Sequence, residues 1–277
     1  MQRLTLGYSP CPNDTFIFYG LTHGKVPCAG VEFVEQLEDV ETLNRLARQG
    51  RLDLTKISYH AFGHLRRDYA LLRSGGALGR GCGPLVVAAE PVRMEQLRGR
   101  TIAIPGELTT ANLLLQLYGS GYEQLLILPF HEIIQAVTDG KAAAGVIIHE
   151  SRFTYHQHGL KKVLDLGQWW EEDSGCPIPL GGILAKRTLG KELIQRIDRA
   201  LRQSVEYAFA NPRQPQEYIR QHAQELEEEV IQSHIGLYVN DFSLDLGEEG
   251  MKAVETLFAR AEARGIIPRA DLPLFVE

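Results

Sequence analysis

The stretch Gly145-Val146-Ile147-Ile148-His149-Glu150-Ser151-Arg152 constrains the fold more than any other. Val146, Ile147 and Ile148 form an unbroken β-branched run, the pattern of a strand buried on both faces. Proton-handling and anion-binding side chains follow it with no spacer. Open α/β sheets set their ligand sites at the carboxyl ends of strands, so the stretch calls for such a sheet with its strand ends at a cleft. A hydrogen-bonded histidine that merely ends a strand would leave the same pattern.

Three more strand ends repeat the arrangement. Residues 3–8 alternate as a strand and stop at Ser9-Pro10-Cys11-Pro12-Asn13-Asp14-Thr15-Phe16. Two prolines stiffen that turn, and Asn13 or Asp14 suits the N-cap of a helix carrying Phe16, Ile17, Tyr19 and Leu21. Residues 52–57 form a strand, after which Ser58-Tyr59-His60 opens a helix. Lys56 and Ser58 share one side of the strand end because side chains alternate. A lysine inside an apolar strand reads as an anion partner. Residues 101–104 lead through Pro105-Gly106-Glu107-Leu108 to Thr109-Thr110. Thr109 as cap leaves backbone N–H groups of the next helix, with its Ala111, Leu114, Leu115 and Tyr118 stripe, for an anion or hydroxyl.

Ser9, Ser58, Thr109 and His149 converge only if two sheets face each other across a cleft. The expected fold class is therefore α/β with two lobes. One lobe comprises residues 1–88 plus 181–277 and the other residues 89–180, joined by strands near 85–89 and 179–185, with the last helices returning to the first lobe. Solute-binding proteins are built this way, holding a ligand between lobes.

Between these ends, residues 31–34 read as a strand, and Asp39 caps a helix whose Val40, Leu43, Leu46 and Ala47 make one stripe ending at Gly50. The glycine-dense residues 75–83 precede a strand at 85–88. They form neither a dinucleotide fingerprint nor a phosphate loop, and read as a hinge or a close backbone approach. A strand at 125–128 and a helix at 131–139 complete a β-α-β-α-β unit that ends at His149. Pro177 and Pro179 precede a strand at 182–185, and the chain is helical from Gly190, with breaks near Pro212, Pro215 and Gly247.

A formal charge of -6 and a pI near 5.9 argue against nucleic acid or an anionic membrane as partner. No apolar run is long enough for membrane insertion, and the first residues read as a strand with no signal-peptide core, so a cytoplasmic protein is expected. The cysteines Cys11, Cys28, Cys82 and Cys176 form no CxxC pair. No HExxH spacing occurs, and His60 and His64, four apart on a helix, lack a nearby third ligand. No metal is expected.

Four motifs resemble a known family: Ser9-Pro-Cys-Pro-Asn-Asp-Thr-Phe16, Leu54-Thr-Lys-Ile-Ser-Tyr59, Arg73-Ser-Gly-Gly-Ala-Leu-Gly-Arg-Gly81 and Ile147-Ile-His-Glu-Ser-Arg-Phe-Thr154. They are similar to those of the 1,4-dihydroxy-6-naphthoate synthases, the cyclic dehypoxanthinylfutalosine lyases of the futalosine route to menaquinone. Tyr238-Val-Asn-Asp-Phe-Ser243 and the terminal Pro-Leu-Phe-Val extend the similarity over almost the whole chain. The resemblance implies a type II periplasmic-binding-protein-like fold used as a carbon–carbon lyase, with neither metal nor organic cofactor. It implies His149 as the catalytic base, and Lys56-Ile57-Ser58 and Thr109-Thr110 as substrate-binding stretches.

That chemistry suits the residues. An aromatic carboxylate with a polyhydroxylated ring needs an anion partner, for which Lys56 or Arg152 carries the charge. Ser58, Thr109 and Thr110, with Ser9 and Asn13 in the first strand-end turn, supply hydrogen bonds to oxygens. Aromatisation needs a proton acceptor, a task for a neutral imidazole. Glu150 is a candidate to orient it, although adjacent residues at a strand end often point apart. Cys11 reads as a small packed hydrophobe. The expected partner is the small-molecule substrate alone, for a monomer or homodimer. Competing readings are a non-catalytic binding protein of the same fold and the related chorismate dehydratase.

Overall fold

Leu4, Leu6 and Tyr8 are buried along the first strand, β1 (Gln2–Tyr8), in a computed structural model that describes residues 1–223 and 227–276. There follow α1 (Pro12–Thr22), β2 (Val31–Leu37), α2 (Val40–Arg48), β3 (Leu54–Ser58), α3 (Tyr59–Leu65), β4 (Tyr69–Leu71) and β5 (Ala77–Gly79). Next come β6 (Leu85–Ala88), β7 (Ile102–Ile104), α4 (Thr110–Tyr118), β8 (Leu125–Ile127), α5 (Ile133–Thr138) and β9 (Ala144–Ile147). The chain continues through α6 (Ser151–Thr154), β10 (Lys161–Asp165), α7 (Leu166–Ser174) and β11 (Ile178–Lys186). It ends in α8 (Lys191–Ala210), α9 (Gln216–His222), α10 (Glu228–Tyr238), α11 (Asp241–Leu244) and α12 (Gly247–Ala263).

Local chemistry explains most boundaries. Asp39 caps α2 as expected, its Oδ1 accepting from the N–H groups of Glu41 at 3.0 Å and Thr42 at 3.1 Å. Helix α1 starts earlier than the sequence suggested. Cys11 is its N-cap and Pro12 its first residue, a position where the missing N–H would have no helical partner anyway. Asn13 and Asp14 therefore sit inside the first turn and are not caps.

The strands form two sheets, ordered β2-β1-β3-β11-β4 with β5 also on β11, and β10-β6-β9-β7-β8. In the first, β1 is parallel to β2 and β3, while β11 runs antiparallel to its neighbours. In the second, β7 is parallel to β8 and β9, and β6 is antiparallel to β9 and β10. The mixed sheets and covering helices give the two-lobed α/β class that the strand ends called for.

The pairings of β6 and β11 locate the crossing between the two sheets. Strand β6, expected within 1–88 of the first lobe, pairs Leu85 with Ile147 in the second sheet. Strand β11, expected at 182–185, starts earlier and already pairs with β5 at Ile178. A buried apolar run looks the same in either sheet, so its pairing is invisible in sequence. The crossing is made by the glycine-rich segment, where the Gly83 and Gly167 backbones pack so closely that a Cβ on Gly83 would meet Gly167 Cα at 2.3 Å. Part of that segment is strand β5, which glycine density had hidden. Pro179 lies within β11, where the register with β5 shifts between Pro179 and Gly181; a residue without an N–H is tolerated at such an irregularity.

The helical tail returns to the first lobe. The Ser204 hydroxyl of α8 donates to the Ile17 carbonyl at 2.6 Å and accepts from Leu21 N–H at 3.1 Å, binding α8 along α1. Among the described residues no helix is long and apolar enough to cross a membrane.

Candidate active site

The strand ends of both sheets open on one cleft, the kind of place where α/β folds hold small molecules. Ser9, Ser58, Thr109 and His149 all line it, as do Asn13, Lys56, Ile57 and Thr110. The expected residues thus meet, with Arg152 excepted. Its guanidinium turns to the crossing segment, donating to the carbonyls of Gly83 and Gly81 and to Asp165 Oδ2 at 2.8 Å. Arg152 stitches two loops and does not reach the ligand space.

Lys56 lines the cleft but is not a spare cation. Its Nζ donates to Asp14 Oδ1 at 2.8 Å and to the Gly75 carbonyl at 3.3 Å, with both charged groups buried. A buried pair persists only when its remaining acceptors are filled. Here Asn13 Nδ2 donates to Asp14 Oδ1 at 2.7 Å, and the Ser9 hydroxyl and N–H donate to Oδ2 at 2.8 and 3.2 Å. Sequence reasoning missed Asp14, whose signal was a carboxylate in the turn beside a lysine-bearing strand.

The other polar residues divide by what they have left to give. Ser58 Oγ accepts from Asn44 Nδ2 at 3.4 Å, which leaves its proton for the cleft. Thr110 Oγ1 accepts from Tyr59 N–H at 3.0 Å and donates to the Leu180 carbonyl at 2.6 Å. Its hydroxyl therefore ties α4 to α3 and β11. Thr109 Oγ1 donates to the Gly106 carbonyl at 2.9 Å and accepts from Asn112 N–H at 3.3 Å, capping α4. What α4 offers a ligand is its first-turn N–H groups, those of Thr110 and Ala111, at the positive end of its dipole.

His149 has φ +56°, the sole non-glycine residue with positive φ among those described. An L-residue in this region carries about 1–2 kcal/mol of strain. The kink takes the chain out of β9 and sets the imidazole on the cleft wall, 5.0 Å from the Phe130 ring and near-parallel to His234 at 6.1 Å, centroid to centroid. Burial pushes its pKa down to about 4, and the Lys56 charge adds to this against the pull of Asp14 and Asp39. The imidazole is neutral at pH 7.

Glu150 faces a second histidine, with Oε1 3.6 Å from His234 Nδ1. His234, on α10, is fully buried, and burial lowers its pKa well below the usual value. Tyr238 lines the cleft one turn further along α10. The sequence signal for this wall was the Tyr238 motif, with His234 on the same helix face four residues earlier. Cys11, buried as expected, brings its Sγ within 4.8 Å of ligand atoms of His149 and Glu150.

An α/β chain with two sheets whose strand ends share one cleft belongs to the two-lobed, type II periplasmic-binding-protein-like class. The alkanesulfonate-binding protein SsuA from Xanthomonas axonopodis pv. citri has this fold, with a TM-score of 0.70 at 17% identity over 96% of this chain and 94% of its own. Within the class, the chain belongs to the menaquinone biosynthesis family, whose model matches residues 4–263. It is 55% identical over all of both chains to the 1,4-dihydroxy-6-naphthoate synthase of Thermus thermophilus. It is 47% identical to that of Streptomyces coelicolor, over 96% of this chain and 95% of the relative.

Proposed function

We propose that the protein converts cyclic dehypoxanthinylfutalosine to 1,4-dihydroxy-6-naphthoate, with His149 as general base. The observation that carries the assignment of the base is the strained backbone at His149, which holds a neutral imidazole at the cleft wall. Strain of this kind persists only where the surroundings enforce it, and it gathers at working sites. Full-length identity to two named synthases supports the reaction.

In this reading the N–H groups at the start of α4 and the Ser58 hydroxyl hold the substrate's oxygens. The Asp14–Lys56 pair, tied to Ser9 and Asn13, forms a rigid polar floor. Closure of the lobes excludes water, and His149 takes the proton whose loss aromatises the ring as the sugar-derived fragment leaves. The enzyme acts in the cytoplasm on a small molecule, with neither nucleic acid nor membrane as partner.

Incubating the purified protein with cyclic dehypoxanthinylfutalosine and following naphthoate absorbance tests the activity. His149→Ala is expected to fold and bind substrate while turnover falls by orders of magnitude. Near-normal turnover would remove His149 as the base, and a wild-type protein that binds substrate without turning it over would be a binding protein of this fold.

A further inference from the structure

The neighbourhood of His149 holds more donor atoms than proton transfer needs. Cys11 Sγ, a ring nitrogen of His149 and a carboxylate oxygen of Glu150 lie within 4.8 Å of one another. Three atoms so placed share a point within about 2.8 Å of each (4.8 Å divided by √3). Zinc–nitrogen, –oxygen and –sulfur bonds run from about 2.0 to 2.3 Å, so shifts of about 0.5–0.8 Å would bring these three donors onto one ion. The donors come from both lobes, Cys11 from the turn after β1, and His149 and Glu150 from the end of β9.

A separate observation comes from His234. Its side chain is fully buried, and Nδ1 has no hydrogen-bond partner. Asn13 Nδ2 is committed to Asp14 at 2.7 Å, so Asn13 Oδ1 must accept from His234 Nε2 at 2.8 Å. Nε2 therefore carries the proton and Nδ1 presents a bare lone pair, 3.6 Å from Glu150 Oε1. A histidine with one nitrogen anchored to a fixed oxygen and the other bare is arranged as metal-ligating histidines are. A lone pair facing a carboxylate is stable when a proton or a cation lies between them.

We propose that Cys11, His149, Glu150 and His234 form a site for a zinc-class divalent cation, and that filling it switches the enzyme off. The switching half rests on the reading of His149 as the base, since a metal occupies the lone pair that base would use. The mixed sulfur, nitrogen and oxygen donor set selects zinc-class ions over magnesium or calcium. Binding releases the Cys11 thiol proton to solvent.

The test uses the full chain with cobalt(II) and zinc(II) as probes. Cobalt is expected to bind one per chain, giving a thiolate-to-cobalt band in the near ultraviolet and the visible bands of a four-coordinate site. Cys11→Ala, with folding checked by circular dichroism, should lose the ultraviolet band and weaken zinc binding by about 100-fold or more, and His234→Gln should weaken it by about 10- to 100-fold. Zinc should stop wild-type turnover, reversibly by chelation, and leave Cys11→Ala turning over. Absence of stoichiometric binding, or an ultraviolet band that survives Cys11→Ala, overturns the site and leaves a proton shared by Glu150 and His234. A saturated site with unchanged turnover overturns the switch. A wild type without lyase activity fails the proposed function while the cobalt spectra still decide the site.

Discussion

Replacing His149 by alanine and by glycine separates the imidazole from the backbone that carries it. Both changes remove the ring, its edge contact with Phe130 and its stacking on His234, so those losses cancel between the two variants. The backbone term remains. At φ +56° alanine carries about 1–2 kcal/mol that glycine does not. Glycine's greater freedom in the unfolded chain favours alanine by about 0.5–1 kcal/mol. At the middle of those ranges the balance leaves His149→Gly more stable than His149→Ala by about 0.75 kcal/mol, the reverse of the order at an ordinary helix or strand position. Urea unfolding at pH 7, read as midpoints at equal slope, measures it. Turnover is expected to be lost in both. An alanine variant as stable as the glycine variant, or more so, refutes the claim that strain is held at this residue.

Ser58→Ala removes a cleft hydroxyl whose proton is unassigned, and should raise the substrate dissociation constant by roughly 5- to 150-fold, equivalent to about 1–3 kcal/mol; an unchanged constant in titration calorimetry counts against it. Arg152→Met should lower stability by about 3 kcal/mol through the unpaired Asp165 with little change in KM, and a large KM effect at wild-type stability would return Arg152 to the substrate site. Burial lowers the His60 pKa to about 4, below the ordinary value near 6.5, so the unfolded chain protonates first as pH falls through that window and stability is lost. Between pH 7 and pH 5 this amounts to about 2 kcal/mol, and His60→Phe should flatten the drop by that amount in urea unfolding; an unchanged drop shows that His60 is not its source.

The architecture was legible because it follows from short-range pattern. The β-branched run before His149, the alternation in β1 and the Asp39 cap each announce an element within a few residues. Convergence of four strand ends then follows from topology. What stayed hidden depends on partners far along the chain. Whether the apolar run of β6 pairs in the first or second sheet is decided by Ile147, not by its own residues. Asn13 bonds to His234 from 221 positions away, so the second histidine of the site carried no local signal. The Cys11 cluster escaped for the same reason, since metal-ligand motifs are recognised by spacing and this one is assembled from two lobes.

The same distinction governs how the substrate's charge is read. A strand-end cation is available to a ligand only if no carboxylate reaches it first. Lys56 is taken by Asp14 and Arg152 by Asp165, and Lys56 is the only lysine or arginine among the residues lining the cleft. On the proposed function, recognition of the anionic substrate falls to neutral donors, the Ser58 hydroxyl and the N–H groups opening α4, whose reach is short. Across the whole chain the formal charge is -6, which repels an anion at long range, and salt screens that repulsion over about 8–10 Å near physiological ionic strength. KM should therefore stay within about twofold, or fall, as salt is raised from low to physiological strength. A KM that climbs several-fold over that range would mean that a cation reads the substrate directly, with Lys56 leaving Asp14 to do so.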